Sequence, residues 1–156
     1  KADIDNGKRY QNAINTFNML FELNVIPIVN ENDTVAVEEI EFGDNDTLSA
    51  YVASLVKADL FIILSDIDGL YTADPRTDKE AELISLVPEI TPEIEELASE
   101  AGGALGIGGM STKITAAKIA VGAGIPMVIS NGENPAVIQK IIAGEEVGTL
   151  FLPKQG

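Results

Sequence analysis

The sequence has no cysteine and no histidine. Without cysteine there is no thiolate nucleophile, no zinc cluster and no disulfide; without histidine there is no Ser-His-Asp triad, no imidazole base and no histidine metal ligand. Basic residues are also scarce: ten against twenty-five acidic ones, a net charge of −15. That balance argues against nucleic acid, whose phosphates need a lysine or arginine footprint, and against anionic membrane surfaces. No apolar run approaches the roughly 20 residues of a membrane span. The charged N-terminus lacks the apolar middle of a signal peptide, so the chain reads as cytoplasmic. The chemistry left is that of carboxylates, hydroxyls, backbone amides and a few lysines, which suits group transfer by positioning and electrostatics.

What is present is globular. With 46% hydrophobic and 22% charged residues over 156 positions, the chain can bury a core as a single domain spanning 1–156. It opens on Lys1 rather than Met and runs almost directly into a helical pattern. It is therefore expected to be the later part of something longer.

Tyr10, Ile14, Phe17, Leu20 and Phe21 recur at steps of three and four, which predicts a helix from about Asn6 to Leu23 with one face packed inward. Val25-Ile26-Pro27-Ile28-Val29 reads as a short buried strand, and Val35 to Phe42 as a β excursion. Thr47 to Lys57 has helical spacing, with Asp44 or Asp46 as its cap, and Leu60 to Leu64 is an apolar strand. A weak strand around Leu83 to Val87 precedes a short acidic helix that opens at Thr91-Pro92. Beyond a glycine-rich loop a helix runs from Ser111 or Thr112 to Gly122. Met127 to Ser130 is another strand, Asn134 to Ile142 a helix, and Gly148 to Leu152 a final edge strand. Strands alternating with helices predict an α/β fold with a largely parallel sheet, and ligands in such sheets bind beyond the carboxyl ends of the strands.

Three of the chain's polar loops are expected there. In Gly102-Gly103-Ala104-Leu105-Gly106-Ile107-Gly108-Gly109 the glycines let backbone amides approach an anion, and the following helix adds its positive end. Lys113 would supply the countercharge; it is the only basic residue between Lys79 and Lys118. The pattern is neither a Walker A motif nor a dinucleotide fingerprint. The plainer alternative is a flexible connector before a helix whose lysine is solvated. Asn30-Glu31-Asn32-Asp33 and Gly43-Asp44-Asn45-Asp46 could grip an ammonium group or orient a lysine, or could be turn and cap residues. Ser65-Asp66 could meet a ribose or base, while Asp68-Gly69 reads equally well as a turn. The acidic stretch Glu93 to Glu100 is a solvated helix face.

Together these loops are specific. Val25 to Ala36, then Phe42-Gly43-Asp44-Asn45-Asp46 with Leu48-Ser49-Ala50, Ser65-Asp66 with Gly69 to Arg76, and Gly106-Ile107-Gly108-Gly109-Met110-Ser111-Thr112-Lys113 resemble the glutamate 5-kinases of the amino acid kinase family, in the same order and spacing. The resemblance implies a three-layer α/β sandwich and ATP-dependent phosphorylation of the side-chain carboxylate of L-glutamate, the first step of proline synthesis. Carried over by position, Asp33 and Asn45 would hold glutamate, and Ser65 and Asp66 the nucleotide. Ile107, Gly108, Gly109, Met110, Ser111, Thr112 and Lys113 would hold the ATP phosphates, and Asp46 would orient the catalytic lysines. Magnesium would bind mainly through the ATP oxygens, with no protein metal ligands. Proline as a feedback inhibitor and a homo-oligomeric assembly are further expectations.

The chain departs from the family at Ile107, where threonine is usual, so a hydroxyl contact to the nucleotide is lost. It also lacks the family's opening segment, with a first glycine loop and a second phosphate-binding lysine, and the C-terminal RNA-modification-type module found on many members. Such a piece is expected to be catalytically poor alone. The alternatives are a sister kinase with another acceptor (acetylglutamate, aspartate or a nucleoside monophosphate) and a non-catalytic amino-acid or nucleotide sensor.

Overall fold

The computed structural model describes residues 2–30, 44–100 and 109–153. The expected Val35–Phe42 excursion and most of the glycine loop, with the candidate residues Asp33, Ile107 and Gly108, lie outside them. Among the described residues the chain forms helix α1 (Ala2–Glu22), α2 (Asn45–Val56), strand β1 (Phe61–Ser65), β2 (Leu86–Val87), α3 (Pro92–Glu100), α4 (Met110–Gly122), β3 (Met127–Asn131), α5 (Val137–Ile142) and β4 (Thr149–Phe151). None of these helices is long and apolar enough to cross a membrane.

The strands form one sheet in the order β1-β3-β4-β2. β1 and β3 run parallel, with Phe61 opposite Met127 and Ser65 opposite Asn131. β2 and β4 are also parallel, while β3 and β4 are antiparallel. The sheet is thus mixed and mostly parallel, as expected of the fold class. One expectation is corrected: β4 is an inner strand between β3 and β2, not an edge. The reversal is made at Gly148, which takes φ +74°, a left-handed conformation that favours glycine. A Cβ at Gly148 would also run into the carbonyl of Ile129.

Phe61 and Ile63 of β1, Met127 and Ile129 of β3 and Phe151 of β4 point to one face, following the two-residue alternation of strands. There they meet Ala50 and Ala53 of α2 and Ile114, Ala116, Ala117 and Ala120 of α4. The alanines let α2 and α4 lie close together on the sheet. Val128 and Ile141 are also buried but stand outside this cluster, on the face that α5 covers. Helices on both faces of the sheet make three layers.

Two sequence expectations fail for one reason. Val25 to Val29 has no regular secondary structure and is not part of the sheet, and Ile26 and Ile28 are 88% and 97% exposed. A β-branched run becomes a strand only when a neighbour takes its amides and carbonyls, and no described strand lies against this one. Likewise α1 forms, but the face expected to pack inward stays half-exposed, with Tyr10 and Phe21 open to solvent. Its aromatic contact is within the helix, Phe17 on Phe21 at 6.2 Å between ring centres. Amphipathic periodicity specifies a helix and a face, but not what covers the face.

The buried hydroxyl of Thr149 accepts the backbone N–H of Leu70 at 2.8 Å, tying β4 to the loop after β1. Thr149→Val keeps the shape and strands that amide. It is expected to lower stability by about 1–3 kcal/mol in urea unfolding; a loss near zero would mean that the loop re-pairs elsewhere.

Candidate functional site

In a parallel α/β layout the helices run back against the strands, so the first turns of α2 and α4 both come to the carboxyl end of the sheet. At α2 the start is built by Asp44, whose carboxylate accepts the Thr47 N–H at 2.6 Å and the Thr47 hydroxyl at 3.0 Å. Of the two candidate caps Asp44 is therefore the one used, and this frees Asp46, in the first turn, for another role. The main chain at Asp46 is held as well, its carbonyl accepting the Ser49 hydroxyl at 2.8 Å. Asn45 opens α2 and is exposed.

The α4 start is different. Its cap residue is Gly109, which offers no side-chain cap to the first amides of the helix; the Thr112 N–H turns back to the Gly109 carbonyl at 3.3 Å. Ser111 faces solvent, while Met110 is buried in the core and anchors the turn. Lys113 sits one turn into α4 and is only 7% exposed. Its ammonium donates to Asp46 Oδ2 at 3.1 Å, and the Thr112 hydroxyl donates to the same oxygen at 2.8 Å. Two helix starts, 67 positions apart in sequence, are thus joined through one carboxylate oxygen.

This arrangement is poor for stability. A cation near the positive end of a helix is disfavoured by about 0.3–1 kcal/mol, and burying a lysine adds a desolvation cost that one ion pair rarely outweighs. Asp46, by contrast, is well placed in the first turn of α2. A lysine kept buried at the anion-attracting end of a glycine-capped helix is what a site for a multiply charged anion requires.

A second group lies beyond β1 and β3. Ser65 ends β1 and Asp66 follows it, the Ser65 hydroxyl donating to Asp66 at 3.1 Å, with Asp66 exposed. Asp68, which read equally well as a turn residue, is a hub: it accepts Tyr71 OH at 3.0 Å and Asn131 Nδ2 at 3.0 Å. The partial burial of Tyr71 itself, and then the hydrogen bond to Asp68 and its charge, push the Tyr71 phenol up. Asn131 was not legible as a site residue, although it leaves β3 as Ser65 leaves β1 and pairs with it across the sheet. Asp68, Ser130, Asn131, Glu133, Lys140 and Gly148 line a cavity of about 440 Å³ here. A second cavity of about 470 Å³ lies along β1, between residues 27–30 and the start of α2, and reaches Asn45 and Asp46. Asn45 and Asp46 thus border one cavity, and Asn131, the partner of Ser65 across the sheet, lines the other.

Farther along the loop, Asp74 accepts from Arg76 at Nε (3.0 Å), at the terminal nitrogen (2.9 Å) and at the backbone N–H (2.9 Å). These bonds hold the Asp74 carboxyl below, and the Arg76 guanidinium above, their ordinary values. The acidic helix α3 is solvated as expected, with Glu95 paired to Lys118 of α4 at 2.6 Å. The Thr91 hydroxyl lowers the pKa of Glu93 at its start.

The profile of the Amino acid kinase family matches residues 1–131. The chain is 60% identical over 153 residues to a glutamate 5-kinase of Carboxydothermus hydrogenoformans, covering 98% of this chain and 41% of that protein. It is 52% identical over 157 residues to one of Clostridium perfringens, covering 98% and 58%. The chain therefore spans only about half the length of such relatives. Among solved structures it is similar to the uridylate kinase of Archaeoglobus fulgidus, with a TM-score of 0.53 and 29% identity over 69% of this chain and 47% of that one. The UMP kinase of Bacillus anthracis matches with a TM-score of 0.62 over 94% of this chain and 52% of that one; at 18% identity this speaks for the fold alone.

Two outcomes test this geometry. Asp46→Ala leaves the buried ammonium unpaired, whereas Lys113→Met replaces it with an apolar chain and leaves Asp46 on a favourable helix start. In urea unfolding Asp46→Ala should cost about 2 kcal/mol more than Lys113→Met, and equal losses would mean that Lys113 finds another partner. A depressed Asp74 pKa favours the folded state above the ordinary aspartate range, an effect lost as pH falls through the folded value. NMR titration should place the Asp74 midpoint below that of an ordinary aspartate, and Arg76→Ala should move it up.

Proposed function

Since the chain belongs to the amino acid kinase family, we propose that in its complete polypeptide it forms the later, nucleotide- and glutamate-binding portion of a single kinase domain. The reaction is transfer of the γ-phosphoryl group of ATP to the side-chain carboxylate of L-glutamate, yielding L-glutamyl 5-phosphate for proline synthesis. The observation that carries this reading is the buried Lys113 held by Asp46 at the glycine-capped start of α4. The 52–60% identity to proteins named glutamate 5-kinase favours glutamate over the acceptors of sister kinases.

Phosphoryl transfer asks little covalent work of a protein; it needs in-line positioning and neutralisation of charge on the transferring group. The absence of histidine and cysteine is no obstacle to it. In this reading Lys113 sets its ammonium against the transferring phosphoryl oxygens, and the amides of Gly108, Gly109, Met110 and Ser111 cradle the phosphates. Asp46 keeps the lysine aimed, acting as a positioning residue. Asp33 and Asn45 take the glutamate, Asn45 from the start of α2. Ser65 and Asp66 take the ribose or base of ATP. Magnesium, when bound, enters with the ATP oxygens and shares their charge. A cytoplasmic location, a homo-oligomeric assembly and proline as feedback inhibitor go with the same proposal.

The test is MgATP-dependent trapping of the acyl phosphate with hydroxylamine, using the complete polypeptide and a panel of acceptors. Glutamate should give the hydroxamate, and Lys113→Ala should lower kcat by roughly 100-fold or more. Turnover of another acceptor with glutamate ignored would move the chain to a sister kinase. Binding of ATP and glutamate without turnover would make it a sensor.

A further inference from the structure

Serine and threonine hydroxyls inside helices usually bond back to their own helix, and most here do. Thr16 donates to the Asn12 carbonyl at 2.9 Å, Ser99 to Glu96 at 2.8 Å and Thr115 to Ser111 at 3.0 Å. Thr112 is different. Its hydroxyl has the Gly109 carbonyl at 2.9 Å, but also Asp46 Oδ2 at 2.8 Å, on another helix 66 positions away. A hydroxyl has one proton to give. The carboxylate is charged and so the stronger acceptor, and the Gly109 carbonyl already receives the Thr112 backbone N–H at 3.3 Å. The proton therefore goes to Asp46.

We propose that Thr112 is a positioning residue of the transfer reaction: its hydroxyl fixes the rotation of the Asp46 carboxylate, and through that carboxylate the place of the Lys113 ammonium. The inference rests on the kinase reading above and changes the part expected of Thr112, whose hydroxyl faces the carboxylate rather than a nucleotide. Lysine alone is a poor orienting group, a point charge on a flexible stem. Threonine is β-branched and stiff at χ1, and it precedes Lys113 on the same helix turn. The backbone at Asp46 is already held by the Asp44 cap and by Ser49, so the main freedom left to Asp46 is rotation of its side chain. The Thr112 hydroxyl removes that freedom. It also links the end of the glycine loop, at Gly109, to the carboxylate that holds the lysine.

Thr112→Val removes the hydroxyl and keeps the shape; Thr112→Ser keeps the hydroxyl. In the complete polypeptide Thr112→Val should lower kcat for glutamate phosphorylation roughly 10- to 100-fold. The KM for ATP should stay within about twofold, as expected when no ground-state contact to the nucleotide is lost. Thr112→Ser should recover most of the rate. A rise in KM for ATP with kcat unchanged would assign the hydroxyl to the nucleotide and overturn the proposal. So would a serine variant no better than valine. A second readout does not depend on activity: a double-mutant cycle of Thr112→Val with Asp46→Ala in urea unfolding should show about tenfold coupling in the unfolding constant. Additive effects would mean that the hydroxyl serves only Gly109. Should the wild-type polypeptide phosphorylate nothing, the proposed function falls, while the cycle still decides whether Thr112 holds Asp46.

Discussion

The bond between Lys113 and Asp46 is the constraint around which this molecule is arranged. It joins the first turns of two helices that lie side by side on the sheet through small residues, Ala50 and Ala53 on one and Ala116, Ala117 and Ala120 on the other. The alanine seam brings the helix axes close enough for a lysine and an aspartate to meet near their starts. The sheet beneath sets both helices with those starts at the carboxyl ends of the strands. Close packing, helix direction and the ion pair thus depend on one another.

The same pair concentrates the cost of the fold at one place. A buried ammonium on the positive end of α4 works against the helix and against the core, and an apolar residue there would serve stability better. Proteins break local rules of this kind at functional sites. The glycine cap agrees with that reading, because a serine or aspartate at the position of Gly109 would stabilise α4 by satisfying the amides that an anion would otherwise use. The net charge of −15 sets the background: a single lysine held in an acidic chain is a local exception in potential, and the surrounding excess favours solubility rather than binding.

Much of the architecture was legible because its signals are local. The apolar run at Met127 to Ser130 is buried throughout, that at Leu60 to Leu64 is buried at Phe61 and Ile63 on the face that α2 and α4 cover, and each helix expected between residues 47 and 142 forms near its bounds. Signals that need a distant partner misled. Val25 to Val29 has the composition of a strand and no described neighbour to pair with, and the apolar face of α1 has little to cover it. Gly148 to Leu152 looked like an edge because chain order suggests one, yet a left-handed glycine turns it back between β3 and β2.

The site divides in the same way. Residue types and spacing along the chain were enough to single out Lys113 and the glycine loop, since phosphate chemistry demands amides, a helix start and a cation, each of them written locally; Asp46 was set apart only by the family resemblance. Sequence left Asp44 and Asp46 interchangeable as caps and gave Asp68 no more than a turn. It placed Thr112 with the phosphates and did not mark Asn131. Those choices depend on which side chains meet across 63 to 67 positions, and such meetings are settled only when α2 and α4 pack on the sheet and β1 takes its register against β3. Hydrogen bonds act over about 3 Å, a scale that helical and strand periodicity cannot specify between elements and that the tertiary packing alone decides.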